Sequence, residues 1–452
     1  MKKIISLTMA LLMLLGIFTA CDSGGEGTDS VYRGENYRKE LEKPTGENLF
    51  GMMYIAWEGY SSNGIDYVAG MQLMKNLGVT VIRFDVPASF MFPTITTRNE
   101  EVIAQVHDLI AEAEKNGITL IGTCMPDYRT TGWYYGSDIL RRNEEEGSVY
   151  QLWLQNIEEC VYLAASELTE ITLWEMGNEP NGSRIYIDGS TANLKEVAEI
   201  YTDQMYHASL GIHRANPNNV SIMGAFTEPE GLGRSDEISY EDRDLWGEYG
   251  DQGRAIAWLN YIYDNIESGG WPSIYPDDYF QAAAWHPYTF TNFDADYFVE
   301  ENQKFYDVIK NREGKDKRVY ITEYGFSDGF IGDMLDVEND ADGMKKQEVI
   351  AQMTKEMYET VRDRMPYVET VCYFRAFNDT RDRYWAGDDE FARTLTMYGL
   401  FYDPNPDSTY PDLYPMDIGT PAIPGAPKPV AYAYQEVAGG QGPLDLFVDQ
   451  SD

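Results

Sequence analysis

The chain has 452 residues, 43% of them hydrophobic and 13% aromatic, enough for a large buried core, and this excludes disorder as its overall state. Its 75 acidic against 35 basic residues leave a formal net charge of −40, and a field of that sign repels nucleic acid and anionic membrane alike. The partner best suited to such a chain is a mostly uncharged one, although a local Arg or Lys cluster could still receive an acid.

The chain opens on "MKKIISLTMALLMLLGIFTAC". Lys2 and Lys3 precede an apolar stretch from Ile4 to about Phe18, and Thr19-Ala20-Cys21 follows. A basic start, a short apolar centre and small residues before a cut describe an export signal over 1–20, too short for a convincing membrane span. The cysteine after the small residue resembles a bacterial lipoprotein signal. The resemblance implies lipidation at Cys21 and an anchored protein facing the outside or the periplasm. Phe18 departs from that motif, which usually carries an aliphatic there. Residues 21–46, polar and Gly-rich at first, read as a tether, 47–440 as the folded body and 441–452 as a tail. Cys124, Cys160 and Cys372 are too few for a disulfide framework. They read as small buried hydrophobes, with one bridge left open.

Strand-like and helix-like segments then alternate. "LFGMMYIAW" (49–57), "VTVIRFDV" (79–86), "ITLIGTCM", "EITLWEMGNE", "VSIMGAFT", "YFQAAAWHPY", "RVYITEYGF" and "VETVCYFRAF" carry strand character. Between them come helical spacings at 65–78, 99–117, 149–168, 193–216, 254–268, 295–312 and 345–365, and a final one at 428–438. Strict alternation predicts a parallel sheet. Eight units without a glycine-rich dinucleotide fingerprint favour a closed α/β (β/α)8 TIM barrel over an open sheet. Connections into strands are short. Those leaving strands (127–148, 181–191, 227–253, 327–343 and 378–397) are long, and on this fold they lie on the carboxyl face, where barrel enzymes place their sites. Trp133, Tyr134, Tyr135, Trp246, Trp271 and Trp385 read as aromatics of these loops.

Carboxylates stand at two strand ends. Glu179 closes "LWEMGNEPNG" on the fourth strand, on the face of Glu175 and Gly177, and Glu323 closes "VYITEYG" on the seventh, on the face of Val319 and Ile321. Two carboxylates across a cleft are what glycosidic bond cleavage requires, one as acid and one ionised. On the second strand Arg83 faces inward with Val81 and Asp85. On the sixth Ala284, His286 and Tyr288 share a face. A cation and a phenol near Glu323 would hold it ionised, and Asn178 can bond a sugar hydroxyl. Glu175 reads as a buried carboxylate paired with a base.

Asn178-Glu179-Pro180, His286-Pro287-Tyr288, Thr322-Glu323-Tyr324-Gly325, Arg83, and "YGLF" followed by "KPVAYAY" together resemble clan A glycoside hydrolases over residues 47 to about 440. In character the chain is closest to families 5 and 39. The resemblance implies a retaining enzyme with Glu179 as acid/base and Glu323 as nucleophile. It places Asn178 on the sugar 2-hydroxyl, Arg83 and Tyr288 behind the nucleophile, and His286 on the site wall. Many members end the eighth strand with a tryptophan platform; here the strand reads "CYFRAFND", and Phe374, Phe377 or Trp385 stand in.

Other motifs fail. Glu338, Asp340, Asp342 and Gly343 approach a calcium loop, but Val349 occupies the position that needs a glutamate. No histidines are spaced as a zinc pair, and no P-loop is present. The expected function is retaining hydrolysis of β-linked, mostly neutral glycans, with no cofactor and a membrane contact only through the lipid. A transglycosidase with the same site, or a glycan-capturing surface lipoprotein, are the other readings, and the oligomeric state is open.

Overall fold

In the computed structural model, the residues described are 41–53, 67–124, 142–181, 194–227, 254–289, 293–327, 344–377, 398–402 and 425–446. The strands are β1 (Phe50–Met53), β2 (Val81–Val86), β3 (Thr119–Cys124), β4 (Leu173–Asn178), β5 (Val220–Thr227), β6 (Ala283–His286), β7 (Val319–Tyr324) and β8 (Val368–Tyr373). Each pairs in parallel with the next, and β8 returns to β1, closing the barrel.

The helices are α1 (Tyr67–Leu77), the single turn α2 (Ala88–Met91), α3 (Glu100–Lys115), α4 (Val149–Glu167), α5 (Leu194–Ala215), α6 (Arg254–Glu267), α7 (Ala295–Glu313), α8 (Met344–Arg364) and α9 (Pro429–Ala438). Local chemistry sets their ends. Asn99 caps α3 by accepting from Val102 N–H, and the chain leaves that helix through Gly117 at φ 71°. Along α3, Val102, Ile103, Val106, Leu109, Ile110 and Ala113 are buried, the helical stripe read in the sequence. None of the described helices is long and apolar enough to cross a membrane.

Side-chain alternation divides the core in two. Ile82, Phe84, Trp174, Met176, Val319 and Ile321 belong to the larger core cluster, which the helices also line. Val81, Ile121, Ile222, Ala282, Ala284 and Tyr320 form a smaller cluster of their own, the apolar floor inside the barrel, with Leu41, Leu173 and Val220 packed against it. Leu41 therefore joins the barrel rather than the tether. Leu444, assigned to the tail, is also in the core. Above the floor the interior turns polar, with Arg83, Thr123, Glu175, His286 and Thr322 all buried. Such groups persist inside a barrel only when they are mutually bonded. Cys124, Cys160 and Cys372 are buried and unbridged.

Candidate active site

Glu179 owes its position to a break in β4. Trp174 and Met176 face the helices, so regular alternation would send Asn178 outward with them. Gly177 instead adopts φ 100° and Glu179 φ 46°, left-handed conformations that turn both Asn178 and Glu179 to the cleft. Gly177 tolerates this freely, whereas a non-glycine there costs about 1–2 kcal/mol. The Glu179 N–H donates to the Ala225 carbonyl (2.9 Å). Asn181 anchors the turn, donating to the Thr227 carbonyl and accepting from the Thr227 N–H, both at 2.9 Å.

Glu323 reaches the cleft differently from the sequence expectation. Val319 and Ile321 face the outer core, while Tyr320 and Thr322 face inward. Glu323 leaves the face of Val319 and Ile321 because the β7–β8 register is irregular between Ile321 and Tyr324. Its carboxylate is gripped on both oxygens. Arg83 Nη1 donates to Oε1 (2.6 Å), and the Tyr288 hydroxyl donates to Oε2 (3.1 Å). The same guanidinium donates through Nη2 to Asn178 Oδ1 (2.6 Å) and through Nε to Glu175 Oε2 (2.5 Å). Burial alone would push the Arg83 pKa down, but Glu175, Glu323 and Asp85 more than reverse this and hold it up. Burial and then the charge of Glu323 push the Tyr288 phenol well up, so it remains a donor.

Glu175 is the buried, base-paired carboxylate expected. Oε2 also accepts from Thr123 Oγ1 (2.8 Å), and Oε1 accepts from Thr322 Oγ1 (2.8 Å) and the Ala225 N–H (3.3 Å). His286 stands between Thr322 and Glu179, its Nε2 3.0 Å from Thr322 Oγ1 and its Nδ1 2.9 Å from Glu179 Oε1. Burial pushes the Glu179 carboxyl up; hydrogen bonding and charge from His286, the Thr227 hydroxyl and Arg83 together pull it below the ordinary carboxylate range.

One donor atom each from Glu179, His286 and Glu323 lies within 4.8 Å of the others. Arg83 and Tyr288 orient Glu323, and Thr322 and Glu179 hold the two nitrogens of His286, so the cluster reads as acid–base apparatus rather than as metal ligands. An oxygen of Glu179 and one of Glu323 thus lie within 4.8 Å of each other, a close spacing that leaves no room for a water between the second carboxylate and the sugar. Asp85, on the inward face of β2, is exposed to the cleft. Enclosure by the barrel walls, and then the negative charge of Glu323 and Glu175, push its carboxyl up against the pull of Arg83.

The structure thus gathers Arg83, Asn178, Glu179, His286, Tyr288 and Glu323 around one cleft. Trp385, Cys21, the loop aromatics Trp133, Tyr134, Tyr135 and Trp246, and most of the long loops lie outside the described residues. Trp271 does not belong with those loops: it sits in the connection from α6 into β6, its ring covered by Arg142 at 4.0 Å. Of the platform candidates, Phe374 follows β8 directly, edge-on to Tyr288 with centroids 6.4 Å apart, while Phe377 packs against Phe401. Sequence reasoning gave no role to Thr227, Thr322 or Thr123. A threonine at or near the end of a strand was the only available sign, and it is shared by many residues with no role.

A family model described as Cellulase (glycosyl hydrolase family 5) matches residues 41–360. No curated protein matches. Among solved structures, the chain is similar to a family 39 glycoside hydrolase from the gut symbiont Bacteroides cellulosilyticus WH2, at 16% identity and a TM-score of 0.52, over 88% of this chain and 65% of that one. It is similar to the β-glucosidase from Trichoderma harzianum at 14% identity and a TM-score of 0.54, over 89% and 99%. It is also similar to the β-glucosidase from Thermotoga maritima at 12% identity and a TM-score of 0.52, over 89% and 100%. At these identities the likeness is one of fold, and the chain spans 65% of the length of the Bacteroides hydrolase.

Proposed function

Because the chain belongs to the cellulase family, glycosyl hydrolase family 5, we propose that it cleaves β-linked, mostly neutral oligo- or polysaccharides with retention of anomeric configuration. The observation that carries this reading is the pair Glu179 and Glu323, whose nearest oxygens lie within 4.8 Å. Glu323 is the nucleophile. Among the described residues Oε2 is its freer oxygen, held by the longer Tyr288 contact, and it is the one turned toward His286 (3.7 Å). As Oε2 bonds to the anomeric carbon, the glycosidic C–O bond breaks and its oxygen takes the proton of Glu179. Glu179 then removes a proton from water, which displaces the ester and restores Glu323. Arg83 and Tyr288 aim the nucleophile, Asn178 meets the sugar 2-hydroxyl, and Phe374 offers the innermost ring an apolar face.

The same proposal includes export and lipid anchoring at Cys21. It is supported by the basic, apolar and small-residue order of residues 1–21. Replacing Cys21 with Ser is expected to release the protein from membranes and abolish incorporation of labelled fatty acid; a Cys21→Ser protein that stays membrane-bound removes this part.

Aryl β-glycosides and soluble β-glycans, assayed with wild type and Glu323→Gln, test the enzyme. The variant is expected to lose roughly 10⁴-fold or more in kcat, and NMR of the first-formed product is expected to show the β-anomer. An initial α-product rejects retention. A wild type that binds oligosaccharides yet cleaves none makes the protein a capture lipoprotein.

A further inference from the structure

Glu175 touches neither the cleft nor any reacting atom, yet its two oxygens accept four hydrogen bonds. One of these decides the chemistry of a neighbour. A threonine hydroxyl has a single hydrogen, and a carboxylate paired with Arg83 can only accept. The Thr322 hydrogen therefore lies on Glu175 Oε1 (2.8 Å). Toward His286 Nε2, 3.0 Å away, Thr322 Oγ1 can then only be the acceptor, so Nε2 carries a hydrogen. The variable position of the ring is Nδ1, which faces Glu179 Oε1 at 2.9 Å.

We propose that Thr322, held by Glu175, fixes the His286 tautomer so that Glu179 and His286 hold one proton in common, making Thr322 a positioning residue for the acid step. This rests on the reading of Glu179 as the acid. The shared proton has two seats: on Nδ1, giving imidazolium against carboxylate, or on Oε1, giving a carboxylic acid bonded to neutral imidazole. The second is the donor to the glycosidic oxygen. The Oε1–H bond breaks as the new O–H bond forms, and Glu179 is left ionised until it takes a proton from water in the second step.

Loss of the shared proton from the free enzyme sets a carboxylate against the Nδ1 lone pair at 2.9 Å. That repulsion opposes the loss and keeps the acid loaded to higher pH. A ring free to change tautomer would escape it by moving its hydrogen to Nδ1. Among the described residues, the groups facing the pair are Glu323 from β7 (Oε2 3.7 Å from Nδ1), Arg83 from β2, the Thr227 hydroxyl from β5, and Tyr288 beyond β6, edge-on at 6.3 Å, while Asp85 and Glu175 act behind them on Arg83 and Glu323. Arg83 and Tyr288 are bonded to Glu323 and not to Thr322, so a change at Thr322 leaves them in place.

The test is the pH dependence of kcat/KM for wild type, Thr322→Val and Thr322→Ser, on aryl β-glycosides with a poor and with an activated leaving group. With the poor leaving group, the alkaline limb of Thr322→Val is expected to move to lower pH by about one unit, the equivalent of one hydrogen bond. Thr322→Ser, which keeps the hydroxyl, is expected to retain the wild-type limb. With the activated group, which needs no acid, the limbs of all three should coincide. Nitrogen-15 NMR of the wild-type imidazole should show hydrogen on Nε2, and this needs no variant to fold. A limb unmoved in Thr322→Val, a shift equal for both leaving groups, or a wild-type ring carrying its hydrogen on Nδ1 alone overturns the proposal. A different failure marks the underlying reading: if Glu179 is not the acid, Glu179→Ala shows the same leaving-group dependence as wild type.

Discussion

Glu179 has one feature that costs stability, a left-handed backbone at φ 46°, while its carboxylate is held by His286, Thr227 and Arg83. Strain of this kind persists where surrounding contacts over-determine it, and it gathers at sites of chemistry. If Glu179 supplies the proton, Glu179→Ala should lose about 10²–10⁴-fold on substrates with poor leaving groups and far less on activated aryl glycosides. Equal losses on both would remove the acid role. Asp85 gives a prediction of opposite sign for stability. Its folded pKa is raised, so the native state holds this proton more tightly than the unfolded chain, and ionisation at neutral pH opposes folding. Asp85→Asn should therefore raise the melting temperature at pH 7. The gain should shrink as pH falls through the raised folded value toward the ordinary Asp value of about 3.9. Thermal unfolding at several pH values checks both points. Because Asp85 opens on the cleft, the same variant should raise KM, and a more stable protein with unchanged KM would separate Asp85 from the sugar.

Between β4 and β5, a phenol bridges the two strands just before the acid. Tyr201 of α5 donates to the Met176 carbonyl (3.0 Å) and accepts from the Gly224 N–H (2.8 Å), filling the gap in the ladder beside Gly177. A Cβ on Gly224 would stand 2.5 Å from the Met176 oxygen and 2.7 Å from the Gly177 oxygen, so the closeness of the two strands depends on that glycine. Tyr201→Phe leaves a buried N–H and a buried C=O without this partner, and the expected loss of unfolding free energy is about 1–3 kcal/mol, measured by denaturant titration. Since the disturbed backbone leads into Asn178 and Glu179, kcat should fall with KM little changed; a destabilised variant with full kcat would confine Tyr201 to the scaffold.

This junction also shows what the sequence could reveal. The alternation of "VTVIRFDV" with the helical spacing of 99–117 needed only local periodicity, so strand order, the barrel and the inward Arg83 were legible. The cleft-facing turns of Glu179 and Glu323 depend on a positive φ and on an irregular register. Strict alternation gave the right destination for Glu323 from the wrong face. The roles of Thr227 and Thr322 arise from contacts with other strands, β4 beside Thr227 and β4 across the barrel from Thr322, which no local pattern encodes.

For the molecule as a whole, the charge of −40 sets two effects of salt against each other. Screening weakens exposed pairs such as Arg362–Asp363 and Arg98–Glu100, but solvent-exposed pairs of this kind contribute little to stability. It also weakens the repulsion among the surplus carboxylates, which extends over the whole surface and opposes the compact state. The second effect should prevail. Raising ionic strength from about 10 mM, where the screening length is roughly 30 Å, to about 0.15 M, where it is roughly 8 Å, should raise the melting temperature; a fall would mean that the ion pairs outweigh the surplus charge. The same field bears on substrate choice, because a neutral glycan does not feel it at long range whereas a uronate-bearing glycan is repelled before it reaches the cleft. KM for a neutral β-glycan should therefore change little with salt, while KM for a carboxylated analogue should fall as salt is added. A carboxylated substrate bound as well at low salt as at high would place a cationic subsite in the cleft and overturn the preference for neutral glycans.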